Sequence, residues 1–195
     1  VVAVVGENMR YRPGIAGRLF QALGKNGINI VAIAQGSSEL NISIVVAASD
    51  ETKALNAIHE AFFLSDTKTL HLFIVGVGLI GSTLLEQISA QAAYLREKRK
   101  LEIRIVGLAN SRKMLFDENG IDLLRWRELL DEAGRPFSIP RFAETMQNLN
   151  LPNAIFVDNT ASAEVAGFYE QILGASISIS TPNKQAASSP FLQYL

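Results

Sequence analysis

Residues 70–81, LHLFIVGVGLIG, place the tightest limit on how this chain can fold. Leu70, Leu72, Phe73, Ile74 and Val75 form a short, nearly continuous apolar run, the pattern of a strand buried on both faces of a sheet. The run passes directly into Gly76-Val77-Gly78-Leu79-Ile80-Gly81, which is G-x-G-x-x-G. Behind it Leu84, Leu85, Ile88, Ala92 and Leu95 recur at three- and four-residue spacing, so a helix with one apolar face begins at the last glycine. A second apolar strand follows at 101–108. Between a strand and a helix each glycine has its own reason: Gly76 for the tight turn, Gly78 for backbone approach to a pyrophosphate, and Gly81 for close helix–strand packing. The helix N-terminus then offers free N–H groups to the anion.

Composition narrows the remaining classes. A chain of 195 residues holds one large domain or two small ones, since domains commonly run to roughly 100–150 residues. Hydrophobic residues make up 48%, enough for a packed core, which excludes a disordered chain. With 18 basic and 19 acidic residues the net charge is −1, so no global field draws it to nucleic acid or anionic lipid. The richest cluster of charge, Arg96-Glu97-Lys98-Arg99-Lys100, falls where the first nucleotide-domain helix ends, where cations complement the helix dipole. No apolar run approaches the roughly 20 residues of a membrane span, and no signal peptide opens the chain. Absence of cysteine excludes disulfides and thiolate metal sites, no metal site is expected, and the expected location is cytoplasmic.

Two domains are expected, 1–66 and 67–195. The chain opens on Val1 rather than methionine and reads as a piece of something longer. Residues 1–5 form a β-branched run, and Ile15, Leu19, Ala22 and Leu23 mark a helix stopped by Gly24 and Gly27. Residues 28–34 read as a strand, 35–38 as a turn, 41–47 as an alternating strand, and Leu55, Ile58, Ala61 and Phe62 as a second helix. This is a small α+β, ferredoxin-like order that lacks its last strand, to be supplied by upstream chain or by another subunit.

The larger domain is α/β, a Rossmann-type doubly wound parallel sheet. Its second strand ends Gly107-Leu108-Ala109-Asn110-Ser111-Arg112. A carboxylate there selects the ribose hydroxyls of NAD, whereas an arginine accommodates a 2′-phosphate. Asn110, Ser111 and Arg112 therefore favour NADP over NAD, the alternative being a solvated Arg112 opening the next helix. Residues 117–133 read as helical, with Trp126 as a packing residue, and 142–149 as a further helix. The short strand 154–157 delivers Asp158-Asn159-Thr160-Ala161-Ser162 to the cleft, a helix follows through Val165, Phe168, Tyr169 and Ile172, and the strand 177–180 ends in Thr181-Pro182-Asn183-Lys184. A lysine beyond a core strand, at the nicotinamide end, is a candidate to bind oxygen or move a proton.

The segment Arg12-Pro13-Gly14-Ile15-Ala16, with Gly27-Ile28-Asn29-Ile30 and Ala34-Gln35-Gly36-Ser37-Ser38-Glu39, resembles an ACT domain of the aspartokinase type, an amino-acid sensing module. The resemblance implies that Asn29 and Gln35 contact an effector; the alternative is that both amides only terminate a strand. Asp158-x-Thr160-Ala161-Ser162 and Thr181-Pro182-Asn183-Lys184, downstream of the glycines, resemble homoserine dehydrogenase, and the joint order resembles the bifunctional aspartokinase–homoserine dehydrogenase family over essentially all 195 residues. That implies NAD(P)H-dependent reduction of aspartate 4-semialdehyde to homoserine, threonine as effector, and a homo-oligomer formed through the ACT and substrate domains. Residues 76–81 and 109–112, with Thr160, Ala161, Ser162 and Lys184, would hold the cofactor; Lys184 would also stand by the reacting oxygen. A kinase domain is expected before Val1 and the substrate-binding part, with further catalytic Asp and Lys residues, after Leu195. The 195 residues alone would then have little or no turnover.

Two other readings fit parts of the pattern. ACT-linked dehydrogenases of the prephenate or phosphoglycerate kind use a histidine after the nucleotide domain, whereas His59 and His71 both precede the glycines. A purely regulatory sensor of nucleotide and amino acid has no need of Lys184 in its T-P-N-K setting.

Overall fold

The computed structural model describes residues 1–62 and 68–187. The chain divides into two compact units, Val1–Asp66 and Thr67–Leu195.

The first unit contains β1 (Val2–Val5), α1 (Ile15–Lys25), β2 (Ala32–Gln35), β3 (Asn41–Val45) and α2 (Glu51–Phe62). Its sheet is antiparallel with the order β1-β3-β2. Period-two alternation sends Val2, Val4, Ile42 and Ile44 inward, where they meet Leu19 and Leu23 of α1 and Ala54, Ala57 and Ile58 of α2. The expected strand over 28–34 is shorter and later than the apolar run. Gly24 lies inside α1, and the helix ends in a cap in which the N–H groups of Gly27 and Ile28 donate to the carbonyls of Gly24 and Leu23 at 3.0 and 3.0 Å. Ile28 is buried as the hydrophobic partner of that cap and so is unavailable to the sheet. Among the described residues this unit has three strands, and β1 pairs only with β3. The stretch between α2 and the next strand, residues 63–67, lies outside the described residues.

The second unit is a six-stranded sheet of order β7-β6-β5-β4-β8-β9. Its strands are β4 (Lys68–Val75), β5 (Leu101–Ala109), β6 (Lys113–Phe116), β7 (Arg135–Pro136), β8 (Ala154–Asp158) and β9 (Ser178–Ser180). The helices are α3 (Leu79–Lys98), α4 (Trp126–Ala133), α5 (Ile139–Leu149), α6 (Ala163–Ala166), α7 (Tyr169–Gly174) and the single turn α8 (Lys184–Ala187). Strand β4 is parallel to both β5 and β8, and β8 to β9. It is buried on both sides: Phe73 and Val75 join a core with Phe142, Phe156 and Ile172, while Leu72 and Ile74 join Leu85, Ile88, Leu108 and Trp126 on the opposite face. Trp126 is thus a packing residue, as expected. No helix among the described residues is long and apolar enough to cross a membrane.

In the region after β5 the alternative in which Arg112 opens a helix fails, and the helix expected over 117–133 forms only in its second half. The chain does not enter a helix at Arg112 but reverses through Asn110-Ser111-Arg112 into β6, antiparallel to β5. Asn110 Oδ1 accepts the N–H groups of Arg112 and Lys113 at 2.8 and 2.7 Å, a side-chain turn that competes with helix initiation. Residues 117–125 are turns rather than the first half of a helix, because Asp117 and Asp122 accept the N–H groups of Asn119 and Leu124. The α-helix starts only at Trp126. Likewise the helix expected through Val165 and Ile172 is split into α6 and α7 around Gly167 and Phe168.

The junction between β4 and α3 is packed backbone against backbone. Gly76 has φ +92°, and a Cβ placed on Gly81 would stand 2.0 Å from the Gly76 carbonyl oxygen. Gly81→Ala is expected to lower stability by about 1–3 kcal/mol or more, since backbone rather than a flexible side chain must yield. A chemical denaturation midpoint equal to that of the unsubstituted protein would overturn this account of the junction.

Candidate functional site

The site forms where the chain leaves β4 for β5 on one side and β8 on the other, the switch point at which open α/β sheets leave a crevice beyond the strand ends. The two strand exits are tied together. Gly76 donates its N–H to Ala109 O at 2.9 Å, and Asn159 donates to Val75 O at 2.8 Å. The resulting cleft, about 930 Å³, is lined by Val75, Gly76, Val77 and Gly78 of the turn, by Asn110, Ser111 and Arg112, and by Thr160, Ala161 and Ser162. Three separate predicted segments therefore share one wall.

The glycine loop has the form a phosphate cradle needs. Gly76 carries the positive φ, Gly81 is buried against it, and a Cβ on Gly78 would meet nothing within 4 Å, so the backbone there faces open space. Helix α3, 20 residues long, begins at Leu79 and presents its unpaired N–H groups at this point.

The remaining residues of the expected set separate. Gly81 and Ala109 are buried structural members of the turn. Leu79 and Ile80 are exposed and line a second depression, about 420 Å³, together with Asn159 of the β8 exit and Ser180 of β9. Asn159 Nδ2 is there a buried side-chain nitrogen without a hydrogen-bond partner among the described residues. Lys184 is exposed at the start of α8 and lines neither depression. Asn110 spends its side-chain oxygen on its own turn, so it shapes the loop that carries Arg112.

Several residues of the wall were not in the expected set. Arg127 and Asp131 of α4, and Glu164 of α6, line the large cleft. Arg127 stacks over the Trp126 ring at 4.5 Å from its centroid, and Asp131 lies 3.5 Å from Lys113 Nζ. Lys113 beside Asp131 offsets the charge that this carboxylate brings to the cleft. Their four-residue spacing is readable in the sequence, but only once the helix is known to begin at Trp126. Asp158, expected to point into the cleft with its neighbours, is instead fully buried beneath it. His71 is also removed from the site, since its Nδ1 lies 2.7 Å from Pro152 O on the segment leading into β8.

In the first unit a depression of about 330 Å³ is lined by Tyr11, Arg12, Pro13, Gly14, Gln35 and Glu39, among others. Gln35 is in its wall; Asn29 is not, and is exposed on the connection between the α1 cap and β2. The shortening of β2 is the reason. Arg12 and Glu39, from two separate segments, give the depression one cation and one anion.

Among the described residues no three His, Cys, Asp or Glu side chains gather as a metal site would require.

Comparison with known proteins agrees with this division. Residues 2–62 match the family described as ACT domain, and residues 76–193 the family described as homoserine dehydrogenase, NAD binding domain. The whole chain is 47% identical to bifunctional aspartokinase/homoserine dehydrogenase 1, chloroplastic, of Arabidopsis thaliana, covering 21% of that protein. It is 40% identical to the bifunctional aspartokinase/homoserine dehydrogenase of Haemophilus influenzae, again over all of this chain and covering 24% of that protein. The chain thus spans between a fifth and a quarter of the length of these relatives. Among solved structures, homoserine dehydrogenase from Thermoplasma acidophilum superposes with a TM-score of 0.51 at 20% identity, covering 65% of this chain and 39% of that one, which is a likeness of fold. With a dinucleotide cleft at the switch point and an ACT module ahead of it, the chain belongs to the homoserine dehydrogenase NAD-binding family, in the domain pairing of the bifunctional aspartokinase/homoserine dehydrogenases.

Proposed function

We propose that this chain is the regulatory and cofactor-binding portion of a bifunctional aspartokinase–homoserine dehydrogenase that reduces aspartate 4-semialdehyde to homoserine with NADPH and is inhibited by threonine. The observation that carries the reading is the cleft shared by the glycine loop, Arg112 and Thr160–Ser162, on a chain that aligns over its whole length with a part of such enzymes. The residues present fit a dinucleotide: Gly78 leaves room for a pyrophosphate, and α3 faces it with free N–H groups. When bound, the reduced nicotinamide supplies the hydride.

Within this reading the chain's own residues bind, orient and stabilise charge. Arg112 pairs with the 2′-phosphate, and Arg127 adds a second cation to the same wall. Lys184, beyond the carboxyl end of β9, holds the substrate oxygen as negative charge develops on it. In the first unit, Arg12 and Glu39 suit the carboxylate and ammonium of an amino-acid effector, and Gln35 its side-chain hydroxyl. A homo-oligomer belongs to the same reading, supported by the edge of β1 that carries no second partner among the described residues.

Three measurements test these assignments. In cofactor titrations, Gly78→Val is expected to abolish binding while the melting temperature holds, and Arg112→Ala to weaken NADPH but not NADH; equal loss for both cofactors would remove Arg112 from the 2′-phosphate site. Lys184→Ala in the full-length enzyme is expected to lower kcat by about 100-fold or more at saturating cofactor. A kcat within a few-fold of the unsubstituted enzyme would take Lys184 off the reaction. Gln35→Ala is expected to weaken threonine inhibition while uninhibited turnover stays nearly unchanged, and full retention of sensitivity would place the effector elsewhere.

A further inference from the structure

The loop that carries Lys184 is fastened to one buried carboxylate. Asp158 is fully buried at the end of β8, and none of the ion pairs among the described residues involves it. Its charge is met instead by three donors. Oδ1 accepts the Thr160 N–H at 2.7 Å, while Oδ2 accepts the Tyr169 hydroxyl at 2.7 Å and Asn183 Nδ2 at 3.0 Å. A buried ionised group is unfavourable unless hydrogen-bonded, and an apolar side chain of similar volume would be the easier choice for folding alone.

The network gives that carboxylate a second task. Asn183 is 4% exposed, and its amide is fully engaged: Nδ2 also donates to Ser162 O at 3.1 Å, and Oδ1 accepts the Gln185 N–H at 3.0 Å. The Asn183 N–H donates to Thr181 Oγ1 at 2.8 Å, and that hydroxyl donates to Asp158 O at 2.8 Å. Tyr169 Oη also lies 3.0 Å from Thr181 Oγ1, but its single proton is directed to the shorter contact with the carboxylate. The residues before and after Lys184 are therefore both tied, through one asparagine, to Asp158. The same carboxylate, through the Thr160 N–H, holds the segment that lines the cofactor cleft.

We infer that Asp158 is the positioning residue that sets Lys184 relative to the cofactor wall, with Tyr169 and Asn183 as its arms. The inference rests on the role of Lys184 proposed above. It makes the lysine's place depend on a side chain that touches neither substrate nor cofactor.

The test is a double-mutant cycle on kcat in the full-length enzyme at saturating NADPH and aspartate 4-semialdehyde. Asp158→Asn keeps the volume but turns an amide toward two donors. It is expected to lower kcat by about 10-fold or more while the KM for NADPH changes by less than about threefold, a loss in the range of a misplaced acid/base or electrostatic group. In a Lys184→Ala background the same substitution is expected to change kcat by less than about twofold. Equal losses in both backgrounds would show that Asp158 acts on the fold or on cofactor binding and would overturn the inference. Tyr169→Phe, whose ring packs against Phe156, removes one donor and keeps the core; it is expected to give a smaller loss with the same dependence on Lys184. This variant decides the matter if Asp158→Asn does not fold. Failure of the underlying reading is seen separately, in an unsubstituted enzyme that does not oxidise NADPH with this aldehyde, or in a Lys184→Ala enzyme that is unimpaired; the latter overturns the positioning role as well.

Discussion

The approach of α3 to the turn after β4 is the constraint on which the nucleotide unit depends. Because Gly81 lies against the Gly76 carbonyl, the helix axis and the strand end are locked at a separation no side chain would allow. Everything in the cleft is measured from that junction. The β5 and β8 exits are hydrogen-bonded to Val75 and Gly76, so the segments carrying Arg112 and Thr160 take their places from the same few backbone atoms. The bulk of the unit keeps this edge rigid by burying β4 on both faces, with separate apolar cores above and below it.

The parts of this arrangement with a strong period or an obligatory backbone geometry are legible in the sequence. The strand–glycine–helix unit, the β4 and β8 strands, and the packing role of Trp126 all follow from apolar spacing and from glycine. The failures cluster where short polar side chains bond to their own backbone. Asn110, Asp117 and Asp122 each close a local turn: the first makes a hairpin after β5, and the other two replace the first half of the helix expected over 117–133. Ile28 shows the complementary error, an apolar residue that looks like a strand member but is taken up at the cap of α1, and Asn29 after it does not line the depression of the first unit. The burial of Asp158 is illegible for a third reason: nothing in a run of polar residues after a strand tells which one turns back beneath the sheet.

The edge of the sheet also takes its form from these turns. In a doubly wound sheet the place beside β5 is ordinarily filled by a third parallel strand after a crossover helix. Here β6 occupies it in the antiparallel sense after a three-residue turn, and β7 continues the pairing. The wall that carries Arg112 is in consequence a hairpin, tied to α4 by the Lys113–Asp131 pair and extended by β7.

One feature of the core reaches further than packing. Phe73, Phe116, Phe142, Phe156 and Tyr169 form an unbroken chain of rings, with centroids 4.8 to 6.4 Å apart, running from the central strand to the hydroxyl that meets Asp158. In an interior of crystalline density a change of volume at one ring is passed to the next instead of being absorbed. The freedom of these five positions to drift over evolutionary time is therefore bounded by the geometry of a loop that only the last of them touches, so that interior residues with no chemistry of their own are held to the tolerances of the site.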